Sequence, residues 1–170
     1  MEDFKLYVGT YGKYNAGSLN GAWLAPMDYD TREDFLDACY KLHADEDDPE
    51  LMFQDYDGED YGMYSEYGFS EDFWNVLKAA EKISDEDAFA AFCSIFQYEL
   101  QGKDADEIDD LFNEKYYGHF DDYDDFGREM VAIGCVEIPD QLECYFNYEA
   151  YGRDCSYDFH EYDGYYFWAC

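Results

Sequence analysis

Apolar residues recur along this chain in two rhythms. Residues 4–8, Phe-Lys-Leu-Tyr-Val, alternate and are rich in β-forming types, which predicts a strand. Gly9 to Gly21 reads as a loop, with Gly9, Gly12 and Gly17 suited to turns. Gly21 to Leu24 predicts a second strand, stopped by Pro26, and Leu51 to Tyr56 a third. Between them Thr31 and Asp34 have capping-box spacing, Thr at the cap and an acid three residues on. The helix that follows carries Phe35, Leu36, Cys39, Tyr40 and Leu42 on one stripe. The middle of the chain reads as helical. Ser70 can cap a helix with Phe73, Trp74, Val76, Leu77, Ala80 and Ile83 on its apolar face. Ser84 and Asp87 form a second box, before Phe89, Phe92, Cys93, Phe96 and Leu100, with Gly102 as the stop. Asp104 caps a helix holding Ile108, Leu111 and Phe112 and ending near Gly118. Phe126 to Ile133 predicts another. Pro139 to Phe146 predicts a short helix with proline in its first turn, and Gly164 to Cys170 is β-prone. No fixed-period repeat is present. The expected class is α+β: about three small domains, 1–62, 63–103 and 104–170, of small antiparallel sheets and short helices.

Charge changes this picture. The chain has 43 Asp or Glu against 10 Lys or Arg, a net charge of −33 over 170 residues. Direct nucleic-acid binding and docking on anionic membranes are therefore not expected, because both rely on Lys and Arg. Disorder is not expected either, since aromatics make up 22% of the chain. Like charges favour an elongated shape, an acidic rod. No apolar run approaches the roughly 18 residues of a membrane span. The N-terminus has no basic region followed by an apolar stretch, so a cytoplasmic location is expected. The six cysteines have no CxxC spacing and are expected as reduced core thiols. His43, His119 and His160 are isolated, each expected at the surface or half-buried.

The acids are spread along the chain rather than gathered in a tail. Candidates for a functional negative surface are Asp45, Glu46, Asp47 and Asp48; Asp55, Asp57, Glu59 and Asp60; Asp85 and Glu86; Asp106, Glu107, Asp109, Asp110 and Glu114; and Asp121, Asp122, Asp124 and Asp125. One such cluster is an ordinary solvated face. The whole set is not, because small domains carry net charges of about 2–8 in magnitude. Imitation of DNA would reward a continuous negative field. The duplex carries one charge per about 1.7 Å of axis, so this excess matches roughly 56 Å, about 16 base pairs, and a dimer about 33. Two other classes stay open. A halophile-type or cation-binding acidic protein without a nucleic-acid-binding partner would spread its acids evenly over every face. An enzyme would gather two carboxyls of raised pKa in one deep pocket. Asp55, Asp57, Glu59 and Glu66 have the spacing of calcium-loop positions, but Asp60 stands where glycine is needed. No zinc helix, nucleophile elbow or phosphate loop is present, and no cofactor or metal is expected.

Two stretches carry a resemblance. Tyr7 to Asn15, Tyr-Val-Gly-Thr-Tyr-Gly-Lys-Tyr-Asn, continuing through Gly17 and Gly21-Ala-Trp-Leu, resembles the opening of the ArdA antirestriction proteins. Ile138 to Leu142, followed by Tyr148 to Asp154, Tyr-Glu-Ala-Tyr-Gly-Arg-Asp, resembles that family's antirestriction motif; Asp158-Phe and Asp163-Gly-Tyr fit the tail after it. The resemblance implies a curved, elongated homodimer that mimics bent DNA. It would occupy the DNA-binding groove of type I restriction-modification enzymes, blocking restriction and often modification. Such proteins are carried by mobile genetic elements. It implies no catalysis, and dimer contacts at Tyr148, Ala150, Tyr151 and Gly152. Arg153 is expected to pair with an acid and orient the backbone.

Overall fold

The computed structural model describes residues 4–169. Alternation shapes the first strand, β1 (Lys5–Thr10): Leu6, Val8 and Thr10 are buried, Lys5 is exposed and Tyr7 half-buried. β2 (Ala22–Leu24) and β3 (Leu51–Asp57) pair with it antiparallel, in the order β2-β1-β3. A β-bulge displaces Gln54, so that Tyr7 lies opposite Asp55 but Val8 opposite Phe53. The expected loop after β1 is interrupted by a short helix, α1 (Tyr11–Asn15), capped by the Thr10 hydroxyl, which accepts the Lys13 N–H at 3.2 Å. Five residues without an apolar stripe leave no periodic signal. Gly17 makes the expected turn, at φ +79°, but Gly9 lies in β1 and Gly12 in α1. α2 (Arg32–Leu42) starts at its predicted cap, the Thr31 hydroxyl accepting the Asp34 N–H at 3.1 Å. Its buried stripe is narrower than predicted: Phe35 and Cys39 are buried, while Tyr40 and Leu42 are exposed.

α3 (Glu71–Ala80), α4 (Glu86–Phe96) and α5 (Ala105–Lys115) bury the predicted Val76, Phe89, Phe92 and Ile108 completely. Asp104 and Glu107 form a reciprocal box. The Asp104 carboxylate accepts the Glu107 N–H at 2.9 Å, and the Glu107 carboxylate accepts the Asp104 N–H at 3.0 Å. α6 (Tyr123–Ala132) starts earlier than predicted because Asp122 caps it, and α7 spans Tyr148–Cys155. The helix expected over 139–146 is only a 3₁₀ turn, Glu143–Tyr145; Tyr145 and the preceding Leu142 are exposed, so the segment has no face to bury. A second sheet has the order β4-β6-β5, with β4 (Tyr116–His119) following α5 directly, β5 (Phe159–Tyr162) and β6 (Tyr165–Trp168). Asp163 and Gly164, at φ +51° and +81°, form the two-residue turn of the β5–β6 hairpin.

The fold class is α+β, as expected. The chain divides into two compact units. One is the chain up to Glu86 with Phe96–Asp109; the other is Asp87–Ile95 with the chain from Asp110 onward. The first packs Phe35, Phe69 and Phe73 edge-on or tilted, with centroids 5.1–5.2 Å apart. In the second, Phe126 stacks on Tyr166 at 4.2 Å, with Met130 and Phe159 in the same cluster. Cys39 and Cys93 are buried thiols, and burial pushes Cys39 up to about 12. Cys135 and Cys144 correct the expectation of core thiols, being exposed at segments that bury nothing; Cys170 lies outside the described residues. Among the described residues no helix is long and apolar enough to cross a membrane.

Candidate functional site

None of the candidate acids is buried. Glu46, Asp60, Asp85, Asp109 and Asp124 are half-buried and the others exposed. The reason is local. Along α5, Ile108 and Phe112 face inward, so the helical period turns Asp106, Glu107, Asp110 and Glu114 outward. Asp55 and Asp57 lie at the far end of β3, past the bulge, on a strand rather than in a calcium loop between helices. Several acids have internal work. Asp122 caps α6, Asp124 accepts from Arg128 at 2.6 Å, and Lys82 pairs with Asp106 and holds its carboxyl below the ordinary range. Glu59 and Asp60 accept loop N–H groups of Tyr61 and Gly62. Asp47, Asp48, Asp57, Asp110, Glu114 and Asp121 have no side-chain hydrogen bond or ion pair among the described residues.

The second motif forms α7, and its sequence is explained by packing on α6. A Cβ on Gly152 would lie 2.0 Å from the Tyr123 carbonyl oxygen and 2.7 Å from the Gly127 nitrogen. A Cβ on Gly127 would lie 2.1 Å from the Tyr148 carbonyl oxygen. The two backbones therefore touch, and only glycine fits at either position. The Tyr148 ring is buried, with the Arg128 guanidinium 4.1 Å from its centroid. Tyr148 and Gly152, expected between subunits, are thus engaged within the chain; Ala150 and Tyr151 are half-buried. Asn147 caps α7, its side-chain oxygen accepting the Ala150 N–H at 3.1 Å. Arg153 is exposed and makes no ion pair among the described residues, contrary to expectation: it points off the packed face of α7. An open cleft of about 620 Å³ beside α7 is lined by Asp124, Asp140, Glu143 and Glu149 against Arg128 alone.

The first motif is a clamp inside its own unit. His43 is 1% exposed, correcting the expected surface or half-buried position. Its Nε2 lies 3.2 Å from the Val8 carbonyl, so Nε2–H donates there and Nδ1 accepts from Lys13 Nζ at 3.0 Å. Lys13 also reaches Asp45 at 2.8 Å and Glu46 at 3.5 Å, and holds the Asp45 carboxyl below its ordinary range. His43, Asp45 and Glu46 are close enough to suggest a metal, but the Lys13 ammonium already stands among them. Thr10 donates to Glu46 at 2.8 Å, and a Cβ on Gly12 would meet the same carboxylate at 2.7 Å. No local pattern signals this cluster, because its two halves, residues 8–13 and 43–46, are far apart in sequence.

Two small antiparallel sheets, short capped helices and a carboxylate-dominated surface define an acidic α+β protein. Its family follows from comparison. The model of the antirestriction protein ArdA matches residues 6–167, so the chain belongs to the ArdA family of antirestriction proteins. No curated protein matches the sequence at a significant level.

Proposed function

We propose that this protein acts without catalysis, as a mimic of B-form DNA that occupies the DNA-binding groove of a type I restriction-modification enzyme. It blocks restriction and, through the same groove, modification. The single observation that carries the reading is the exposure of the candidate acids, none of which is spent in a core. Their carboxylates stand in for phosphates against Lys and Arg of the enzyme. Membership of an antirestriction family favours this over a halophile-type acidic protein. The protein works in the cytoplasm of a bacterium receiving a mobile element, as a homodimer formed along α7. Tyr148 and Gly152 seat that helix on α6 and Tyr151 packs partly on the Phe126 cluster, which leaves Ala150 and the exposed part of Tyr151 for the second subunit. Competition tests the reading: binding to a type I enzyme and to duplex DNA should be mutually exclusive. A stable ternary complex in gel filtration would overturn it.

A further inference from the structure

The first sheet has a second face that its core does not use. Tyr7 points away from the buried side chains of β1 and is paired across the strands with Trp23. Their rings meet at 67° with centroids 5.3 Å apart. The Tyr7 hydroxyl donates to the Leu19 carbonyl at 2.8 Å, which fixes that ring. The bulge brings Gln54 and Asp55 to the same place, and a cleft of about 510 Å³ opens there. Tyr7, Tyr14, Trp23, Met52, Asp55 and Glu66 line it. Tyr14 is 50% exposed and Trp23 45%, large aromatic surfaces to leave in water. Two carboxylates line the cleft and no basic side chain does. Each commits one oxygen internally, Asp55 to the Tyr56 N–H at 2.9 Å and Glu66 to the Tyr11 hydroxyl at 3.0 Å. Each has a second oxygen to offer.

This chemistry selects its occupant. An anion would be repelled, and a neutral apolar group would strip water from two carboxylates without replacing it. A cation gains from the negative faces of the rings and from both carboxylates. Among cations, guanidinium fits best: it is planar, weakly hydrated, stacks on rings and binds carboxylate with two parallel bonds. We propose that this cleft is an anchor pocket for an arginine side chain of the protein partner. The inference rests on the reading above, in which the partner presents a basic DNA-binding surface, and adds to it a localised contact. Interfaces concentrate energy at such arginine and aromatic sites, whereas exposed ion pairs contribute little each.

The test uses the full chain and three peptides, Gly-Gly-Arg-Gly-Gly and its lysine and citrulline counterparts. Physiological salt limits diffuse attraction to a Debye length of about 8 Å. The readout is the Trp23 indole N–H resonance. The arginine peptide should shift it saturably, and neutral citrulline should bind at least about tenfold more weakly. Asp55→Asn with Glu66→Gln should weaken arginine binding by a similar factor, since the amides keep the internal acceptors and lose only the charge. Trp23→Ala, checked for folding by circular dichroism, should weaken inhibition of a type I enzyme more than Asp110→Asn does. If arginine and citrulline peptides shift Trp23 alike, or Trp23 does not respond, the pocket proposal is wrong. It is also wrong if both variants inhibit like the unaltered protein while that protein still excludes DNA. Failure of the unaltered protein to exclude DNA would instead sink the mimicry reading.

Discussion

Gly127 and Gly152 show what one missing Cβ achieves. Each faces the other helix's backbone at a distance no side chain tolerates. Gly152→Ala must force α6 and α7 apart, and overpacking of this kind costs about 1–3 kcal/mol. Urea unfolding should show that loss, with the far-ultraviolet spectrum retained. Gly152 is readable in the sequence as part of a family motif, yet its reason is not, because its partner Gly127 lies on another helix. A second residue-scale effect concerns tyrosine. Burial pushes the Tyr166 hydroxyl up to about 12, and burial with the hydrogen bond to Glu66 does the same for Tyr11, against 10.0 in a free side chain. The folded state holds these protons more tightly than the unfolded chain. The resulting stability is complete below pH 10 and is lost as pH rises from 10 toward 12. Tyrosinate absorbance followed with circular dichroism should show unfolding in that window. Ionisation of all 20 tyrosines near pH 10 with no loss of structure would contradict it.

At the scale of elements, local signals were legible where they were complete within a few residues. Thr31, Ser70 and Asp104 cap α2, α3 and α5 as predicted, because a cap bonds backbone only two or three positions on. The missed elements were α1, which lacks an apolar stripe; β4, whose residues were read as the end of the Asp104 helix; β5, announced only by Asp163-Gly164; and α7, which has a weak apolar stripe and depends on α6. Asp122→Ala removes the α6 cap and should cost about 1 kcal/mol in thermal unfolding. If the proposed dimer forms along α7, Ala150→Arg is expected to give monomers in sedimentation, since a symmetric interface places the new charge against its own copy. A dimer that survives would move the interface away from α7.

For the whole molecule, 33 excess negative charges act together. Exposed pairs are worth only about 0–1 kcal/mol each, so Asp110→Asn or Glu114→Gln alone should leave inhibition nearly unchanged. Neutralising Asp106, Glu107, Asp109, Asp110 and Glu114 together should weaken it clearly, with folding intact by circular dichroism. One folded single carboxylate-to-amide variant without inhibition, beside active cluster variants, would refute the collective mechanism. Salt should weaken the complex by screening it and stabilise the free protein by relieving self-repulsion. The acid excess, the helix caps, the three N-terminal strands and both family motifs could be read from the sequence alone, since composition and local spacing carry them. Tertiary structure alone decided that His43 is buried against Lys13, that Gly127 meets Gly152, and that Tyr7 and Trp23 share a cleft with Asp55 and Glu66. The physical reason is range: caps and stripes act within a turn or two of chain, whereas these contacts join residues that only folding brings together.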